Sequence, residues 1–160
     1  MRLALFEPDI PQNVGAAIRA AACFGAHLDI IEPCGFAGGA REIARVAMDY
    51  RLMAPPRIHP DWTAFVDVYC DGARRIILLT TKGSTSLWDF AFRSDDMLVL
   101  GRESSGAPDH VHAAADAHLV IPMADGARSL NVAVAGAVAL AEARRQFRLQ
   151  ADERSEPTGF

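Results

Sequence analysis

The chain has 160 residues, 51% of them hydrophobic and 22% charged, with a formal net charge of −4. That is the composition of one globular domain, and it excludes a disordered tether and a strongly basic nucleic-acid clamp. No apolar run approaches the roughly 18–20 residues that a membrane span needs.

The first strand is predicted at RLALFE (2–7), and Pro11 then opens a helix through QNVGAAIRAAACF, with Val14, Ile18, Ala21 and Ala22 on one apolar face. Gly25 closes it, and HLDIIEP (27–33) is the second strand. Residues 40–48 suggest a short helix with Arg41 and Arg45 on one face, and 61–69 another, capped by Asp61 or Thr63. RIILLTT (75–81), MLVLG (97–101) and HLVIPM (118–123) are further strands, with a helix at PDHVHAAA between the last two. A polar loop ending in Ser129-Leu130-Asn131 leads to the long final helix. Strands that are apolar throughout and alternate with helices imply a mostly parallel sheet covered on both faces. The expected organisation is one α/β domain over residues 1–150, followed by a polar, Pro157-containing tail, 151–160, expected to be disordered.

Several chemistries are disfavoured. Cys23, Cys34 and Cys70 are odd in number and form no C-x-x-C pair, which argues against disulfides and structural zinc. His110 and His112 are two apart and do not share a helix face, so no metal is expected. The start, MRLALFEPDIPQN, has acids and prolines where a signal peptide keeps its apolar run, so a cytoplasmic protein is expected. Fifteen of the sixteen basic residues are Arg, with Lys82 alone. Arg suits bidentate phosphate contacts, although a GC-rich genome explains the bias more simply.

Open α/β sheets bind ligands beyond the carboxyl ends of their strands. Three such ends are unusual: LLTTKG (78–83), LGRESSGAP (100–108) and IPMADGARSLN (121–131). Gly83, Gly101 and Gly106 permit tight turns there. Neither G-x-G-x-x-G after the first strand nor G-x-x-x-x-G-K-[ST] occurs, so a dinucleotide site and a P-loop are disfavoured. The exit of the first strand adds Asn13 and, two turns on, Arg19, a charge interrupting an Ala-rich segment that needs water, a partner or a substrate.

Asn13 with Arg19, the G-x-E-x-x-G-x-P segment Gly101–Pro108, and Ile121-Pro-Met followed by Ser129-Leu-Asn131 resemble the three motifs of the SPOUT (TrmH-type) RNA 2′-O-methyltransferases. LFEPDIPQN, IIEP-GF and LTTKG resemble the branch that acts on the tRNA wobble nucleotide, C34 or U34. The resemblance covers residues 1 to about 147 and departs from the pattern at Ala107, where a bulkier aliphatic residue is common. It implies a C-terminal deep trefoil knot, a rare exception to unknotted topology, and a homodimer whose active sites join both subunits. It implies S-adenosylmethionine as methyl donor, with S-adenosylhomocysteine as product. By resemblance, Leu79, Gly101, Ile121 and Ser129 contact the donor, with Met123 and Leu130 as neighbours.

The expected reaction is methylation of the wobble ribose in tRNA, without metal, membrane or DNA. Alternatives are the same transfer at another tRNA or rRNA position, or a non-catalytic RNA-binding module of this fold. Arg19 is expected to face the acceptor as a clamp on phosphate or developing alkoxide, because a guanidinium with a pKa above about 12 is a poor base. Asn13 and Glu103 could fix that guanidinium. Ser129 and Asn131 could cap the last helix while facing donor and ribose. Arg41, Arg45, Arg51 and Arg128 are candidate RNA phosphate contacts. On the final helix, the small-residue stripe Val132, Gly136, Ala139 and Ala143 suits either a subunit interface or packing on its own sheet.

Overall fold

A computed structural model describes residues 1–69 and 74–155, with the side chains of Arg51 and of residues 152–155 excepted. Seven strands, β1 (Arg2–Phe6), β2 (His27–Ile31), β3 (Arg57–His59), β4 (Ile76–Leu79), β5 (Thr85–Ser86), β6 (Met97–Leu100) and β7 (Ala117–Val120), form one sheet in the order β3-β2-β1-β6-β4-β7-β5. Every pairing is parallel.

The period-two alternation of side chains divides the core. Leu3, Leu5, Leu28, Ile30, Ile77, Leu79, Leu98 and Leu100 point to one face, where α1 (Pro11–Phe24), α2 (Gly39–Ala47) and α5 (Val132–Ser155) cover them. Ala4, Phe6, Ile31, Ile76, Leu78, Met97 and Val99 point to the other, beneath α3 (Trp62–Tyr69) and α4 (Asp109–Ala114). Burial on both faces is why these strands read as unbroken apolar runs.

Local chemistry sets the helix ends. Pro11 starts α1, where its missing N–H costs nothing. Gly25 ends α1 in the left-handed region at φ 67°, donating its N–H back to the last turn. Asp61 caps α3, accepting from the Ala64 N–H at 2.8 Å. One expectation changes, and one open alternative meets its neighbour. Helix α5 continues through Ser155, so residues 151–155 of the expected disordered tail are helical, and the remainder lies outside the described residues. The small stripe of α5 packs on its own sheet: Ala139 and Ala143 are fully buried, and a Cβ on Gly136 would stand 2.9 Å from Leu100 Cδ1. No described helix is long and apolar enough to cross a membrane.

Candidate active site

Because all strands run the same way, the exits of β1, β6, β4 and β7 open on one edge of the sheet. There they surround a cavity of about 590 Å³, well within the range of small-molecule sites. The β4 exit supplies Leu79, and the β6 exit supplies Gly101 and Glu103. The β7 exit supplies Ile121, Met123, Arg128, Ser129, Leu130 and Asn131, and Asn13 reaches in from α1. Segments separated by up to 118 residues in sequence thus meet in one place.

Two glycines make the convergence possible. A Cβ on Gly83 would lie 2.3 Å from the Leu119 carbonyl carbon, and one on Gly101 would lie 2.4 Å from the Ala107 amide nitrogen. Both neighbours are backbone and could not yield without moving a loop.

A directed chain of hydrogen bonds crosses the cavity wall. Glu103 Oε1 accepts from Asn13 Nδ2 at 3.0 Å. Asn13 Oδ1 in turn accepts from Asn131 Nδ2 at 2.9 Å. Asn131 Oδ1 accepts from the backbone amides of Ala133 and Val134 at 2.9 and 3.2 Å, capping α5. A carboxylate only accepts, so it sets the direction of both amides. Each Asn has a second side-chain N–H beyond the one it donates in this chain. Asn131 caps the helix as expected, and it also lines the cavity. Ser129 lines the cavity, but among the described residues it makes no capping bond.

Other expected residues lie elsewhere. The Arg19 side chain is exposed, with its guanidinium 4.8 Å from the Tyr50 ring centroid, and it does not line this chain's cavity. Asn13 and Glu103 bond to one another rather than to Arg19. Arg41 and Arg45 are exposed on α2, with Arg45 forked onto Glu42. Arg51 is a call on a side chain outside the described residues.

The sequence reading missed Lys82, Thr80, Thr81 and His112 in the cavity wall. The first three follow Leu79 directly and were flagged only as a segment. His112 stacks on His118 at 5.3 Å, while His110 faces Phe6 and Trp62, so the two histidines diverge. Arg102 was missed as well. Its Nε donates to Asp9 Oδ1 at 2.6 Å and its Nη1 to Glu7 Oε2 at 3.2 Å. Hydrogen bonds from Ser104 and Arg102 hold the Asp9 carboxyl below its usual range. Nearby, burial and then the charges of Glu32, Glu103 and Glu7 push the Cys34 thiol up to about 11.

Sheet and cavity define a parallel α/β protein with a ligand-sized pocket built from strand exits and the start of its last helix. The chain belongs to the SpoU rRNA methylase family, whose profile matches residues 1–141. It is 50% identical over 146 residues to a tRNA (cytidine(34)-2′-O)-methyltransferase of Ancylobacter novellus, spanning 91% of this chain and 92% of that one. A solved structure described as "Structural insights into the 2-OH methylation of C/U34 on tRNA" superposes with a TM-score of 0.85 at 38% identity, covering 92% of this chain and 95% of the other. The SpoU methyltransferase AviRb from Streptomyces viridochromogenes, solved in complex with the cofactor AdoMet, gives a TM-score of 0.82 at 26% identity, covering 94% and 61%.

Proposed function

We propose that this chain methylates the ribose 2′-oxygen of the wobble nucleotide, C34 or U34, in tRNA, using S-adenosylmethionine. The observation that carries the reading is the meeting of three strand exits with Asn13 in one cavity. Its relatives support both the target and the donor. The cavity fits the donor chemically: Leu79, Ile121 and Leu130 offer apolar wall, while Thr80, Ser129 and Asn131 offer polar groups.

The donor supplies an electrophilic methyl carbon, whose bonding pair leaves with sulfur as S-adenosylhomocysteine. The chain's own contribution is orientation and electrostatics. Gly101 and Ile121 shape the donor's seat. Asn13 and Asn131 keep N–H groups available for the ribose oxygen as it gains charge, and such preorganised donors are commonly the largest catalytic contribution. Arg19 clamps phosphate or developing alkoxide, and the hydroxyl proton leaves to a phosphate oxygen or water. Arg128 at the cavity wall, with Arg41 and Arg45 on α2, contacts the RNA backbone.

A homodimer belongs to the same reading. Arg19 stands outside its own chain's cavity, and Ile10, Leu130 and Val134 are 42%, 41% and 49% exposed. Ile10 and Leu130 also line the cavity, so a second subunit covering them would bring its own groups to the site. The C-terminal segment is read as threaded into a trefoil knot, and the site of action as the cytoplasm. Radiolabelled S-adenosylmethionine with total tRNA, followed by mapping of the label, tests the function. Label on the nucleotide 34 ribose is expected. Label at another position redirects the substrate, and donor binding without transfer would favour a non-catalytic module.

A further inference from the structure

Asp9 and Arg102 lie 93 residues apart in sequence and meet where β1 and β6 leave the sheet. Asp9 holds the segment after β6 by three bonds. Its Oδ1 accepts from Arg102 Nε at 2.6 Å, its Oδ2 accepts from the Ser104 N–H at 3.1 Å, and its own N–H donates to Glu103 Oε2 at 2.7 Å. Arg102 also reaches Glu7, and its backbone closes a bridge with Gly106 at 3.2 and 2.8 Å. Glu103 lies between Arg102 and Ser104, the two residues that the Asp9 side chain grips, and its other oxygen begins the chain through Asn13 to Asn131.

We propose that Asp9 and Arg102 are positioning residues for the reaction. Their ion pair seats the Glu103 carboxylate, and through it fixes the direction in which Asn13 and Asn131 present N–H groups to the cavity. The inference rests on the methyl-transfer reading for its kinetic consequence only. Arg102 also neutralises the carboxylates of Glu7 and Asp9, which would otherwise repel Glu103 and an incoming phosphate.

A separate feature supports the pair's importance. A Cβ on Gly35 would lie 2.2 Å from Asp9 Oδ1 and 2.9 Å from Arg102 Nη2. Gly35 does not have a positive φ, so glycine is needed there for room. The room it leaves is occupied by this pair. The partners are partly exposed, at 31% and 20%, and ion pairs of that kind contribute little to folding stability. Removing the pair therefore disturbs geometry without unfolding the chain.

The chain contains two asparagines, Asn13 and Asn131, and both belong to the network. Selective ¹⁵N-asparagine labelling therefore reports it through two side-chain NH₂ groups, independently of activity. In Arg102→Ala and Asp9→Asn, both NH₂ signals are expected to move, including that of Asn131. The kcat on tRNA should fall roughly 10- to 100-fold, the cost of a small misplacement of reacting groups, while S-adenosylmethionine affinity and Tm stay close to wild type. Arg102→Lys keeps charge without the fork and should give intermediate turnover. Gly35→Ala should reproduce the defect from outside the network. Stationary asparagine signals, unchanged kcat, or a parallel loss of donor affinity and Tm would each overturn the proposal. The two readings fail separately. A wild-type chain that methylates no tRNA ends the assigned reaction, whereas stationary signals in Arg102→Ala end the positioning role whatever reaction the cavity performs.

Discussion

Asp29, in the middle of β2, has no exposed surface, yet it sits among charged and polar groups. Arg2 donates to it through Nε and Nη2 at 2.6 and 3.1 Å, Tyr69 through its hydroxyl at 2.9 Å, and His59 Nε2 lies 2.8 Å away. The Tyr69 ring is flanked by Arg2 and Arg57 at 4.6 and 5.5 Å, so one carboxylate anchors a cationic cluster. Removing one partner of a buried pair strands the other. Asp29→Ala is therefore expected to lose about 3–5 kcal/mol of stability in urea unfolding. None of this was legible in the sequence, because the partners are 27 to 40 residues apart and no local pattern links them. Cys34 shows the opposite case, a group made inert by its setting. With its thiol raised from 9.0 to about 11, it should react with thiol reagents at pH 8 far more slowly than exposed Cys23, measured in a Cys70→Ser background. The sign for stability follows from the same shift. Between pH 9 and 11 the unfolded thiol loses its proton first, so the folded state loses stability as pH rises through that window.

Helices and strands were legible in proportion to their length and pattern. The apolar runs in β1, β4 and β6 were placed to within two residues, because burial on both faces leaves no polar interruption. β3 and β5 were missed: Arg-Ile-His and Thr-Ser are too short and polar to carry a strand signal, and they form by adding to an existing edge. The stripe on α5 was legible as a close-packing surface, but periodicity cannot say which neighbour it meets. Two helical glycines show how that neighbour decides tolerance. A Cβ on Gly15 would lie 2.6 Å from the Val46 carbonyl oxygen of α2, a backbone atom, whereas on Gly136 it would meet the end of the Leu100 side chain at 2.9 Å. Alanine gains about 1 kcal/mol of helix propensity at either site. Gly136→Ala is expected to stay within about 1 kcal/mol of wild type, as Leu100 can rotate aside. Gly15→Ala should be destabilised by roughly 1–3 kcal/mol as α1 and α2 are forced apart. Thermal unfolding of the two variants side by side checks the contrast.

At the scale of the whole molecule, the cavity was legible as three strand exits, while the polar chain joining them was not, since it depends on which side chains face each other across the opening. The position of Arg19 sets the molecular question. It stands with Tyr50 rather than at the pocket of its own chain, so a site formed across two subunits makes a direct prediction. Arg19→Ala and Ser129→Ala should each be inactive alone. Mixed after dissociation, they should regain roughly a quarter of wild-type turnover, because half the dimers are hybrid and each hybrid keeps one intact site. No recovery, with hybrids verified by mass spectrometry, would place Arg19 in service of its own subunit. Val134→Glu puts a charge on the exposed apolar face and is expected to shift the proposed homodimer toward the monomer in sedimentation.

Lys82 carries the single side-chain amine of the chain, is exposed, and borders the cavity. With the α-amine of Met1 blocked beforehand, amine-directed conjugation would therefore deliver its cargo to the pocket's own doorway. A small fluorophore attached there becomes a gauge of occupancy, whereas anchoring the protein to a bead by the same chemistry would shut the entrance it was meant to display.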